Sequence, residues 1–212
     1  MVESLSGLNN LQAAQKIGEH FSNISNEYDP IDAEAFKDYL KENNSKPPKV
    51  EPRKVHKVIQ TMNKKAATVD GDIPMKLISE FSVEIAFPLS HIINSCIESG
   101  IYPQLWKLEH VTPVPKVFPP EQLKDLRKIS GLMNFSKITD KIVGEYIIED
   151  MKPTRDKSQY GNEKNISIQH YLIKLLHKTL LSVDENTQSE AFAVIIGMID
   201  WSQAFDRQSH SL

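Results

Sequence analysis

The string IDWSQAFDRQ, residues 199–208, sets an aspartate at the end of an apolar run, AFAVIIGMI over 191–199. An acid in such a place costs free energy unless water, a counter-charge or a cation meets it. Asp200 is therefore a candidate metal ligand. A hard carboxylate oxygen suits Mg²⁺, which keeps several waters and draws its other oxygens from a phosphate-bearing substrate. An aspartate at a strand end also serves as a turn or cap residue, and the string alone admits both roles. Other groupings offer less. His170 and His177 are seven apart on one face of an expected helix, with no third ligand close in sequence, so they read as surface or core histidines. Ser, His and Asp occur without the strand-turn-helix elbow of a hydrolase nucleophile. The single Cys96 excludes an internal disulfide framework and a cysteine-rich zinc site.

Positioning Asp200 requires a sheet. Residues 191–199 are uniformly apolar and β-branched in the middle, the pattern of a central strand buried on both faces. A second β element is expected upstream: HVTPVPKV from residue 110 has β-branched residues but two prolines, which suits an edge or bulged strand, and DLRKISGLM over 125–133 pairs with it across FPPEQLK. Together they make a basic hairpin carrying Lys116, Arg127 and Lys128, whose charges read, from spacing alone, as solvated surface.

The rest reads as helices. Leu8, Leu11, Ile17, Phe21 and Ile24 recur at helical spacing, and Asp29-Pro30-Ile31-Asp32 starts a second helix that Asn43-Asn44-Ser45-Lys46-Pro47-Pro48 ends. Val55, Val58, Ile59 and Met62 form one stripe ringed by Arg53, Lys54, Lys57, Lys64 and Lys65. Thr68-Val69-Asp70-Gly71-Asp72 reads as a turn, and Pro74 opens a short helix. Ile85 to Ile97 define a longer helix, started or kinked at Pro88 and closed by Gly100. Stripes from Ile138 to Ile147 and from Ile168 to Leu180 mark two more, joined by the polar loop KPTRDKSQYGNEKN.

At 212 residues, 40% hydrophobic and 25% charged, with Gly 8 and Pro 12, the chain has the composition of a globular protein with a packed core and is neither collagen-like nor bulk disordered. A formal charge of −3 does not advertise a polyanionic partner, but charge is unevenly spread: residues 1–40 hold seven acids and two bases, and residues 41–65 hold eight bases and two acids. Electrostatic partner binding, if present, starts after residue 40. No basic segment followed by an apolar run opens the chain and no stretch approaches the ~20 apolar residues of a membrane span, so the expectation is an intracellular protein of cytoplasm or nucleus, not secreted and not membrane-bound.

Residues 199–206 resemble the first conserved block of the reverse transcriptase palm of LINE-type, non-LTR retrotransposons: an apolar strand ending in Asp, then a run ending Ala-Phe-Asp. Four further segments agree in the family's order. KKAATVDGDIPMKLI (64–78) is similar to its Lys-rich segment, and GIYPQLWKLEHVTPVPK (100–116) to the block ending in a fingers lysine. DLRKISGLMNFSKITDKIV (125–143) resembles the Arg-Pro-Ile-Ser block, and SQYGNEKNISIQHYLIKLL (158–176) the Gln-aromatic-Gly block with its following helix. The pattern is departed from at Lys128, where proline is usual, at Asn162, where an aromatic is usual, and at Thr68-Val69, where Gly-Pro is common.

The resemblance implies a helix-rich α+β chain: a helical connector over 1–45, a fingers-like region over 46–189 with its basic hairpin at about 110–133, and the first palm strand and catalytic block of a right-hand polymerase, incomplete, over 190–212. It makes Asp200 the first metal-binding carboxylate, with the backbone carbonyl of Trp201 helping to hold the second ion. Phe205 sits under the incoming nucleotide's sugar, where a bulky ring excludes a 2′-hydroxyl; its alternative is a core aromatic. Lys116 and Arg127 close on the triphosphate, the one as a compact charge and the other as a planar fork. Gln159, Tyr160 and Gly161 border the template and nucleotide pocket, or form an ordinary loop in which Gly161 supplies a positive φ. Asp206 matches a family acid without being the partner carboxylate.

Implied partners are an RNA template, a DNA primer and a dNTP, and the implied cofactor is Mg²⁺, two ions in the complete enzyme, with Mn²⁺ as a substitute. The aromatic-Ala-Asp-Asp turn of the family's later palm blocks does not occur in the 212 residues. Two ions a few Å apart need several carboxylates, so the chain is expected to be an N-terminal fragment of an RNA-directed DNA polymerase, inactive alone. The alternative expectation is a noncatalytic nucleic-acid-binding or protein-interaction remnant using the hairpin or the amphipathic helices.

Overall fold

A computed structural model describes residues 2–25, 47–66, 68–185 and 193–200. Two compact units emerge, one running to Ile147 and the other Ile148–Ser202. The described residues are mainly helical, with one two-stranded antiparallel sheet, an α+β arrangement.

In the first unit, helix α1 (Asn10–Ser25) is opened by a reciprocal cap. Gln12 N–H donates to Asn9 Oδ1 (2.9 Å) and Asn9 N–H donates to Gln12 Oε1 (3.1 Å), which satisfies two otherwise unpaired donors. Of its apolar stripe, Phe21 and Ile24 are buried while Leu11 is exposed. The second N-terminal helix expected from Asp29 lies outside the described residues.

Helix α2 (Pro52–Thr61) begins on proline, whose missing N–H costs nothing there. Its expected stripe is buried at Val55, Val58 and Ile59. The short helix α3 (Met75–Glu80) follows Pro74 as expected, and α4 (Ser82–Ser99) ends at Gly100, which takes the left-handed φ of 68°. Pro88 does not start α4. The helix begins at Ser82 and carries the proline internally, where the bond its absent N–H would make to the Glu84 carbonyl is lost within an otherwise continuous helix.

Helix α5 (Gln104–Lys107) leads into β1 (Glu109–Pro115), and β2 (Leu126–Leu132) returns antiparallel to it. Helix α6 (Asn134–Met151) follows. The main core joins Val55 and Ile59 of α2, Ile78 of α3, Leu89 and Ile93 of α4, and Ile138 and Ile142 of α6. Val50, ahead of α2, is held to α4 by Asn94, which accepts from its N–H (2.7 Å) and donates to its C=O (2.9 Å). A second cluster packs Phe21, Ile24 and Val2 against Leu126 of β2, with Val111 of β1 partly buried beside them.

The smaller unit contains helix α7 (Ile168–Glu185) and the loop before it. The expected helix forms, but Leu172, Leu176 and Leu180 of its stripe are exposed.

The expected buried strand over 191–199 is corrected by the structure for residues 193–199, and residues 191 and 192 lie outside the described residues. Residues 193–200 have no regular secondary structure, and Ile195 and Ile199 are 91% and 84% exposed. A central strand needs a hydrogen-bonded neighbour on each side. Among the described residues β1 and β2 form the one sheet, and they pair with each other.

Candidate nucleotide and nucleic-acid interface

The hairpin register decides which side chains share a face. Val114 lies opposite Arg127 and Pro115 opposite Leu126, and the ladder continues through Lys116 N–H donating to the Asp125 carbonyl (2.6 Å). Alternation then puts Lys116, Val114 and Thr112 of one strand on the same side as Arg127 and Ile129 of the other. Lys116 and Arg127 are diagonal neighbours, about 7–8 Å apart in such a pair. Their face is open: Arg127 and Lys116 are exposed, as are Val114 and Ile129. The opposite face carries Leu126 and Val111 into the second cluster. Lys128 belongs to that side and pairs with Glu109. The hairpin carries Lys128 as expected, on the face opposite Lys116 and Arg127.

Asp125 fixes the loop that bears Lys116, and sequence reasoning gave it no role. Its carboxylate accepts from the N–H groups of Gln122 (2.9 Å) and Glu121 (3.1 Å), and these bonds, more than the nearby Lys124 and Lys116 charges, hold its carboxyl below the ordinary carboxylate range. Lys116 Nζ in turn donates to the Lys124 carbonyl (3.1 Å). Gln122 and Asp125 form a capping box around the turn Leu123–Asp125, and the three-residue spacing was the signal for it.

Polar contacts tie the hairpin's surroundings together. Asp72, at the end of the Val69–Asp72 turn, accepts from Asn134 N–H (2.7 Å), and Asn134 Nδ2 donates to the Ile73 carbonyl (2.8 Å). Tyr102 Oη donates to Asp140 (2.8 Å) and meets Ser136 Oγ (2.9 Å). Burial, and less strongly the Asp140 carboxylate, push the Tyr102 hydroxyl up to about 12, against the Ser136 hydrogen bond. Thus residues from the segments 64–78, 100–116 and 125–143 meet in one unit.

In the smaller unit, Gln159 and Tyr160 lie in a loop before α7. Gln159 Nε2 donates to the Gly161 carbonyl (3.0 Å), and Tyr160 packs edge-on against Tyr171 with centroids 5.6 Å apart. Lys174 Nζ lies 5.1 Å from the Tyr160 ring centre and donates to Ser158 Oγ (3.2 Å). An open cleft of about 470 Å³ is lined by Tyr160, Gly161 and Tyr171, among others. Gly161 does not supply the positive φ expected of it. Asn162 does, at 59°, and its short side chain tolerates that conformation.

His170 is a capping residue: its Nδ1 accepts from Ser167 N–H (3.1 Å) at the start of α7, and His177 is exposed on the same helix. Asp200 is exposed in the irregular segment. Trp201, Phe205 and Asp206 lie outside the described residues. No group of three or more His, Cys, Asp or Glu side chains converges among the described residues. Among the described residues no helix is long and apolar enough to cross a membrane. No protein-family model matches the chain, and no curated protein matches it.

Proposed function

We propose that this chain is the connector, fingers and first palm block of a LINE-type RNA-directed DNA polymerase, an enzyme of template-directed nucleotidyl transfer. The reading rests on five family-like blocks in the family's order, and the hairpin carries its support. Lys116 and Arg127, which two separate blocks contribute, share one exposed face. On this reading they hold the triphosphate of an incoming dNTP, Gln159, Tyr160 and Gly161 border the template, Phe205 excludes a ribose 2′-hydroxyl, and Asp200 with the Trp201 carbonyl contributes to the Mg²⁺ centre. The remaining carboxylates belong to palm blocks that this sequence does not contain, so the chain alone does not polymerise.

Primer extension on an RNA template with Mg²⁺ tests this. The purified chain should give no product, and the chain joined to the later palm blocks of the family should give product. Robust synthesis by the chain alone would refute the need for those carboxylates. A noncatalytic binding role is the second reading, favoured by an Asp200 that is exposed in an irregular segment; it predicts RNA binding without synthesis in either form.

A further inference from the structure

Positive charge concentrates in residues 41–65, where eight bases face two acids, although the whole chain carries a formal −3. General attraction to polyanions is therefore weak, and any anion binding must be local. Helix α2 begins with Arg53 and Lys54, adds Lys57 a turn later, and has no acid in its first turn. The helix dipole disfavours cations at an N-terminus, and Glu51 at the N-cap is the acid that stands beside them.

Burial of Val55, Val58 and Ile59 fixes the rotation of α2. Lys54, Lys57 and Thr61 then line one side of a cleft of about 230 Å³, and Lys141 and Glu145 of α6 line the other. Lys54 pairs with Glu145, and Lys141 Nζ donates to Thr61 Oγ1 (3.0 Å). Lys57 is exposed and has no hydrogen bond or ion pair among the described residues. Three ammonium groups thus meet one carboxylate, two of them braced by neighbours. The lining contains no aromatic ring on which a base could stack, so the cleft suits an anionic backbone rather than base readout.

We propose that this lysine cleft binds the phosphodiester backbone of a nucleic-acid strand, through Lys57 and Lys141 first. It shares no residue with the hairpin face. That the anion is a nucleic acid rests on the polymerase reading; the surplus of positive charge does not.

The test is fluorescence anisotropy of a labelled oligouridylate of about 20 nucleotides with the full chain, across ~50 to ~200 mM salt. Each lysine-phosphate contact to a single strand contributes about 0.7 to the slope of log affinity against log salt. Lys57→Gln should lower the slope by about 0.7 and weaken binding about 5-fold at ~0.1 M salt. Lys57→Gln with Lys141→Gln should lower it by about 1.4 and weaken binding about 25-fold. Because Lys57 is exposed and has no hydrogen bond or ion pair among the described residues, the single variant is informative even if the double variant unfolds.

Unchanged affinity and slope in Lys57→Gln, or no RNA binding by the chain, would overturn the proposal. So would polyglutamate competing as well as RNA, which would indicate an acidic protein partner. Lys116→Gln with Arg127→Gln separates the two ideas: a loss confined to that hairpin pair removes the cleft and spares the polymerase reading. A loss confined to the Lys57 variants supports the cleft and counts against the hairpin.

Discussion

Gly131 of β2 stands where the Val69–Asp72 turn meets the hairpin, and replacing it tests that junction. A Cβ built there would lie 2.8 Å from Val69 Cγ1 and 3.3 Å from the His110 carbonyl oxygen. With no obstruction, Gly→Ala in a strand would gain about 0.5–1 kcal/mol from the reduced freedom of the unfolded chain. Overpacking against a methyl that must move costs about 1–3 kcal/mol. The second effect wins, leaving Gly131→Ala destabilised by about 1–2 kcal/mol; with a urea slope of about 2 kcal/mol/M, the midpoint falls by roughly 0.5–1 M. Val69→Ala removes the obstructing methyl at its own cost of about 1 kcal/mol. In that background Gly131→Ala should be neutral or stabilising, a coupling of about 1–2 kcal/mol in a double-mutant cycle followed by urea unfolding. Additivity within about 0.5 kcal/mol would refute the contact and, with it, the docking of the turn on β2.

Two pH effects follow from the polar contacts. Tyr102 has a folded pKa of about 12, above the ordinary value near 10, so its contribution to stability is complete below pH ~10 and is lost as pH rises through about 12. After discounting for its partial exposure, that contribution is about 1 kcal/mol, and Tyr102→Phe should remove this step from denaturation curves taken across the alkaline range. Asp125 has a depressed folded pKa, so its support of the loop is present above the ordinary carboxylate value and lost as pH falls through the lowered one. Asp125→Asn should speed amide exchange at Glu121 and Gln122 at neutral pH and abolish its acid dependence; unchanged exchange would contradict the capping role.

Local signals made much of the fold legible. Val55, Val58 and Ile59 sit at helical spacing and are buried as one stripe, and Gly100 ends α4 in the left-handed conformation. The hairpin was readable from two β-branched runs around a proline-rich loop. Pairing register is not legible in the sequence, and it is the register that sets Lys128 and Arg127 on opposite faces of the hairpin. Pro88 does not mark the start of α4, because one missing hydrogen bond does not override the packing of Ala86, Leu89 and Ile93. The run before Asp200 carried strand propensity, but sheet formation depends on neighbours that propensity does not supply. The contacts of Asp72 with Asn134 and of Tyr102 with Asp140 join residues far apart in sequence, and no local pattern announces them.

The most direct test of the polymerase reading is the effect of Asp200→Ala on Mg²⁺-dependent primer extension by the chain joined to the later palm blocks, with circular dichroism to verify folding. The account expects synthesis to fall by about a thousandfold or more, because loss of about 4 kcal/mol of transition-state stabilisation corresponds to that factor. Normal synthesis by a folded Asp200→Ala protein would contradict it.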